Sequence, residues 1–261
     1  MDVDLTGRKV AITGVGDGIG RSLALAFGLA GARVAGCARS RNRLDAVSSE
    51  IEGGGHLFHP ADLTRPGELN DFYEKTAEAF GGLDVLVNNV GAILKLGNFF
   101  DLTDQDWQDS FDVNLMPAVR LSRLFIPQLR RSPAPRIINI SSVAAIRPGE
   151  PFPQYSAMKA GLSNLTVSLA KTLAPDKIIV NSVSPGPVWT RSWENEAEAA
   201  AEESGEPLSK VKKDIQSSTA QTVLLERMGV PEDVTGIVLF LASDSARWIT
   251  ATNFTVDGGI I

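Results

Sequence analysis

Short runs of β-branched and apolar residues alternate along this chain with longer stretches of helical spacing, and no other feature restricts its fold as much. The runs occupy 9–13, 33–38, 56–61, 85–88, 136–141 and 178–184. Each is too short for a stable helix and is bounded by turn-forming residues, so each reads as a strand. Between them, 19–30, 41–51, 66–80, 103–129 and 154–173 carry apolar residues at helical spacing, with a further helix expected at 232–242 and a last strand at 254–256. Strands that alternate with helices dictate βαβ units and a parallel sheet. The expected architecture is therefore α/β: about seven strands in a doubly wound sheet, helices on both faces, with ligands beyond the carboxyl ends of the strands.

Composition narrows the function classes. With 261 residues, 43% of them hydrophobic, the chain can bury one sizeable core, and a single domain over 1–261 is expected. A net charge of −6 opposes nucleic acid or an anionic membrane surface as partner, because both reward a basic face. A single cysteine, Cys37, excludes an internal disulfide framework, and two histidines, His56 and His59, are too few for a histidine-rich metal site. No metal is expected. The acidic start of the chain lacks an apolar signal core and no stretch approaches a membrane span, so a cytoplasmic protein acting on a small molecule is expected.

One region departs from the alternation. Residues 192–221 are polar and helix-prone, acidic at 194–203 and basic at 210–213. Such charges suit a solvated helical pair. An insertion of this length after the sixth strand also stands where a substrate would enter, as lids do.

Three residues suggest the chemistry. Tyr155 and Lys159 stand four apart in the helical stretch, and Ser142 lies thirteen residues before Tyr155. Positions i and i+4 share a helix face, so an ammonium beneath the phenol would favour its ionised form. A phenol that ordinarily titrates near ~10 would then serve as proton donor and acceptor. Upstream, Thr13-Gly14-Val15-Gly16-Asp17-Gly18-Ile19-Gly20 follows the first strand and opens the first helix. Glycines there allow a tight turn and close approach of a pyrophosphate to the helix N-terminus.

The glycine spacing, T-G-x-x-x-G-x-G, resembles that of the short-chain dehydrogenase/reductase family, and the resemblance runs from Thr13 to Val256-Asp257-Gly258-Gly259. Asp62, with Leu63, matches the family aspartate that contacts the adenine ring. Asn88-Asn89-Val90-Gly91 resembles the family's N-N-A-G turn beside the cofactor, with Val90 in place of alanine. Asn114, in Asp112-Val113-Asn114-Leu115, matches the asparagine that kinks its helix and holds a water near the lysine; Ser142, Tyr155 and Lys159 complete the tetrad. Pro185-Gly186-Pro187-Val188-Trp189-Thr190 resembles the turn whose backbone near Val188 and whose threonine hydroxyl hold the nicotinamide carboxamide.

The resemblance implies a Rossmann-type fold and an NAD(P)-dependent oxidoreductase acting between a carbonyl and a secondary alcohol. Ser142 would orient the oxygen, Tyr155 would act as acid or base, and Lys159 would also bond the nicotinamide ribose. A carboxylate ending the second strand would favour NAD(H), but Ala38 stands there, followed by Arg39, Ser40, Arg41 and Arg43. Guanidinium groups suit a 2′-phosphate, so NADP(H) is favoured over NAD(H), against the opposing charge of Asp17.

Candidate substrate-pocket residues, chosen as sequence neighbours of these motifs, are Ile93, Leu94, Lys95, Val143, Ala144, Phe152, Pro187, Trp189 and Trp193. Most are apolar and suit a hydrophobic ketone. A rival reading is a 3-oxoacyl-thioester reductase whose acidic carrier protein docks on Arg130, Arg131 and Lys171. A rival of another class is a non-catalytic cofactor-binding redox sensor, but such relatives generally lose a tetrad residue and this chain has all four. The family also implies a homotetramer or homodimer, assembled through 103–129, 154–173 and the last strand.

Overall fold

The computed structural model describes residues 3–260. Its strands are β1 (Lys9–Thr13), β2 (Arg33–Ala38), β3 (Leu57–Pro60), β4 (Val85–Asn88), β5 (Arg136–Ile140), β6 (Ile179–Pro185) and β7 (Asn253–Val256). They form one all-parallel sheet in the order β3-β2-β1-β4-β5-β6-β7. The helices are α1 (Gly18–Leu29), α2 (Arg41–Glu50), α3 (Pro66–Phe80), α4 (Asp104–Asn114), α5 (Met116–Leu129), α6 (Pro153–Leu173), α7 (Arg191–Ser204), α8 (Leu208–Ala220) and α9 (Pro231–Ala242). This is the doubly wound fold expected from the alternation. The order reverses between β1 and β4, which opens a crevice at their carboxyl ends.

Both faces of the sheet are buried, which is why the strands read as continuous apolar runs. Successive side chains point to opposite faces. Val10 and Ile12 pack with Leu23 and Phe27 of α1 and Val234 and Val238 of α9. Ala11, between them, joins the opposite core with Phe72 of α3 and Leu121 and Phe125 of α5. Phe27, Phe72 and Phe125 are fully buried, each stabilising the fold by roughly 1.5–3 kcal/mol.

Two departures from expectation bear on the site. The single helix expected over 103–129 is two helices, broken at Leu115 (φ −124°, ψ −51°), just after Asn114. Pro117 accounts for the break: it has no N–H to continue the α4 ladder and is readily accommodated in a first turn, so a new helix starts around it. The polar insertion forms α7 and α8, hinged at Gly205 in the left-handed region (φ 69°). Each helix buries a single residue, Ala197 and Val211 respectively. The chain leaving α8 is tied to the end of the sheet, where Leu224 and Leu225 donate to the carbonyls of Gly259 and Gly258 at 2.9 and 3.1 Å.

Candidate active site

A cleft of about 1160 Å³ lies across the carboxyl ends of the strands, lined at one end by Gly14–Gly20, Ala38–Ser40 and Asp62–Thr64 and at the other by Ser142, Tyr155, Lys159 and the start of α7. The glycine turn opens α1. Gly18 has φ 51°, and a Cβ at Gly20 would lie 2.0 Å from the Gly14 carbonyl oxygen, so the helix can approach the turn only without a side chain. Gly14, Gly16, Asp17, Gly18, Ile19 and Gly20 all line the cleft.

Thr13 does not. It is buried beneath the turn, where its hydroxyl accepts the amides of Asn89 and Val90 at 2.8 and 3.0 Å. Asn89 returns a bond from Nδ2 to the Thr13 carbonyl at 2.8 Å. Thr13, expected among the cofactor contacts, is thus a strut joining β1 to the turn after β4. Asn89, Val90 and Gly91 line the cleft above it.

At the end beyond β2 and β3, Arg39, Ser40, Asp62 and Leu63 line the cleft as a group. Burial pushes the Asp62 carboxyl up, but hydrogen bonds from Thr64 and the charges of Arg39 and Arg65 outweigh it and hold the group below the usual carboxylate range. Asp17 caps α1 by accepting from the Gly18 amide at 2.6 Å, and its other oxygen pairs with Arg43 at 3.1 Å.

The reaction end is built on α6. Tyr155 and Lys159 are brought to one face beside Ser142, which caps a short 3-10 turn through a bond from the Ala144 amide at 3.1 Å. Burial raises the Tyr155 phenol above its ordinary value, and a hydrogen bond with Ser142 offsets part of the rise. Burial pushes the Lys159 ammonium down to about 8. Lys159 donates to the Ile140 carbonyl at 2.9 Å and lies 5.7 Å from the centre of the Tyr155 ring. The expected depression of the phenol by Lys159 is therefore corrected: the cation is directed at a carbonyl, and desolvation dominates at Tyr155. Asn114 stands behind this pair and does not line the cleft. Its Oδ1 accepts the Ala92 amide at 2.9 Å, and its Nδ2 donates to the carbonyls of Ala92 and Ser110, both at 3.0 Å.

The wall facing Tyr155 differs most from the sequence reading. Ile93, Leu94 and Trp193 line the cleft, whereas Lys95, Val143, Ala144, Phe152, Pro187 and Trp189 do not. Val143 and Ala144 are turned aside by the 3-10 helix, and Phe152 packs edge-on against the Tyr155 ring, 6.1 Å between centres. Pro187 and Trp189 alternate with Val188 and Thr190 in an extended segment pinned to Gly229, so only Pro185, Gly186, Val188 and Thr190 face the cleft. Arg191, Ser192 and Asn195 complete the wall, with Asp109, Asp112 and Val113 of α4 opposite. Helical periodicity could have found these last sets, since 109, 112 and 113 share a face, as do 191, 192 and 195.

Arg130, Arg131 and Lys171, the expected carrier-docking residues, follow or end α5 and α6, and these helices run back toward the amino ends of β5 and β6. They stand at the opposite edge of the sheet from the cleft, with Arg130 paired to Asp176 at 2.9 Å.

A family model described as Enoyl-(Acyl carrier protein) reductase matches residues 14–261. The "Uncharacterized oxidoreductase YvrD" of Bacillus subtilis is 37% identical over 100% of this chain and 99% of its own length. The 3-oxoacyl-[acyl-carrier-protein] reductase FabG of Thermotoga maritima is 32% identical over 98% of this chain and 99% of its own. The crystal structure of L-sorbose reductase from Gluconobacter frateurii, complexed with NADPH and L-sorbose, superposes with a TM-score of 0.92 at 29% identity, covering 100% of this chain and 99% of that one.

Proposed function

The chain belongs to the short-chain dehydrogenase/reductase family, and from that premise we propose how its cleft works. The protein is an oxidoreductase that moves a hydride between a nicotinamide cofactor and a carbonyl or secondary alcohol. The observation that carries the reading is the group at the cleft floor, where Ser142, Tyr155 and the buried Lys159 all line the cleft and Lys159 stands one helical turn after Tyr155 on α6.

The residues at the cleft fit an extended dinucleotide. The side-chain-free approach of Gly20 to Gly14 leaves the amino end of α1 open to a pyrophosphate. Gly14, Gly16 and Gly18 would border it, Asp62 and Leu63 the adenine, Lys159 the ribose, and Val188 and Thr190 the carboxamide. Thr190 caps α7 without a side-chain bond, which leaves its hydroxyl for that role.

A bound reduced dinucleotide supplies the hydride. Ser142 holds the substrate oxygen in place. The raised phenol keeps Tyr155 protonated, so it donates as charge develops on that oxygen. Asn114 fixes the Ala92 backbone behind the reacting groups. Tyr155→Phe is expected to lower turnover by about 10²- to 10⁴-fold with cofactor affinity unchanged; near-normal turnover would remove Tyr155 as the acid.

NADP(H) is the cofactor we favour. Ala38 leaves the end of β2 without a carboxylate, and both Arg39 and Arg43 line the cleft. Asp17, which would repel a phosphate, is partnered by Arg43. The solved neighbour that binds NADPH supports the same choice. We further read α7 and α8 as the substrate lid and the working form as a homotetramer or homodimer. Trp248 is 97% exposed beside edge strand β7, and Phe100 is 90% exposed before α4, positions that favour covering by another copy. A monomer by light scattering at micromolar concentration would overturn the assembly.

A further inference from the structure

The wall of α7 points to a different substrate from the apolar ketone suggested by the motif neighbours. Of the apolar residues expected beside Tyr155, Trp193 remains as the aromatic one, and the wall continues through Arg191, Ser192 and Asn195. Trp193 is backed by Trp189, with ring centres 6.4 Å apart and planes inclined by 18°. This stack fixes the indole where it borders the cleft. An aromatic face carries the negative part of the ring quadrupole. Hydrogens on carbons bearing hydroxyl groups are polarised positive, so a hydroxylated carbon chain lies well against such a face while a plain alkyl chain gains only apolar contact.

The rest of the wall supplies partners for hydroxyl groups. Ser192 and Asn195 are exposed, and both can donate and accept. A simple ketone would displace water from these groups without replacing its hydrogen bonds. Arg191 is already engaged by Glu194 at 3.1 Å and Glu198 at 3.2 Å. The wall therefore offers polar contacts without a free cation to attract a phosphate or carboxylate.

Resting on the oxidoreductase reading, we propose that the substrate pair is an uncharged polyhydroxylated ketone and its alcohol, a ketose and an alditol. Trp193 is its platform, and Ser192 and Asn195 are its hydroxyl partners. In reduction, hydride from the dinucleotide adds to the ketone carbon, the C=O π pair moves to oxygen, and Tyr155 gives that oxygen its proton. The dinucleotide leaves oxidised, and solvent returns a proton to Tyr155.

The test is steady-state turnover by the purified chain, with NADPH and with NADH, of free ketopentoses and ketohexoses, a straight-chain hexanone and a ketohexose phosphate. At least one free ketose is expected to exceed the hexanone in kcat/KM by about 10²-fold or more, because sites that bond hydroxyls reject analogues lacking them. The phosphate ester should fall below its free sugar. Trp193→Leu is expected to raise the ketose KM about tenfold with cofactor Kd unchanged, and Trp193→Phe to recover most of that loss. A hexanone or a phosphorylated ketose used as well as any free ketose would overturn the substrate class and leave the oxidoreductase reading standing. Cofactor binding with no turnover of any compound in the panel would overturn both.

Discussion

The floor of the cleft and the α7–α8 pair beside it are held by different kinds of bond. On the floor, Thr13, Asn89, Asn114 and Lys159 bond to backbone groups on other elements, with most of the atoms buried. In the α7–α8 pair, Arg191 pairs with Glu194 and Glu198 on its own helix, Lys210 pairs with Glu206, and Lys212 reaches from α8 to Glu194 of α7 at 3.6 Å. An unmade buried hydrogen bond costs about 1–3 kcal/mol, whereas an exposed ion pair is worth about 0–1 kcal/mol. The difference teaches where rigidity resides: the groups at the cleft floor are fixed by the frame, and the α7–α8 pair is held by bonds that cost little to break.

The contrast breaks most directly at Asn114. Asn114→Ala leaves the Ala92 amide and the Ala92 carbonyl without their partner and is expected to destabilise the fold by about 3 kcal/mol. Thermal unfolding should fall by roughly 6–12 °C. An unchanged Tm would erase the distinction between the floor and the α7–α8 pair.

Lys159 sharpens it through pH. Its ordinary value is 10.5 and burial brings it to about 8, so between those values the unfolded chain binds more protons than the folded one. Stability therefore rises with pH across that window and is lowest below it. The buried charge costs roughly 3–3.5 kcal/mol below pH ~8. Lys159→Met should remove this slope from a Tm-against-pH series and abolish most turnover; a slope that persists would assign it to another group.

Asp17→Ser is a smaller perturbation. Serine can keep the cap on α1, while Arg43 loses its carboxylate partner. NADPH affinity relative to NADH, read by fluorescence titration, is expected to rise about fivefold, and a fall would exclude Arg43 as a phosphate partner. Smallest of all, Arg191→Ala in α7 should shift Tm by no more than about 2 °C. A loss as large as that at Asn114 would show that α7 belongs to the frame.

The parts legible in the sequence are those that strand ends place. The glycine turn, Asp62, Asn89, Ser142 and the 185–190 turn each follow a strand of a parallel sheet, so the alternation alone brings them to one edge. Tyr155 and Lys159 follow from helical spacing. The facing wall was less legible, because residues next to a motif need not share its direction. Trp189 lies between two cleft residues and points away from both, and the 3-10 turn after Ser142 carries Val143 and Ala144 out of reach. Arg130, Arg131 and Lys171 lie away from the cleft for a reason the topology supplies. Helices that link parallel strands end at the sheet's amino edge, so their last turns lie far from any ligand.

The Thr13 strut has a consequence for exchange with solvent. Asn89 and Val90 belong to a turn, and turns ordinarily trade their amide hydrogens quickly. Here both amides donate to a buried hydroxyl that lies 76 and 77 residues earlier in the chain. Their deuterium uptake can proceed only when β1 parts from β4. In a hydrogen-exchange experiment these two loop amides should be as slow as those of the central strands, so this cleft-lining turn opens only with the sheet itself.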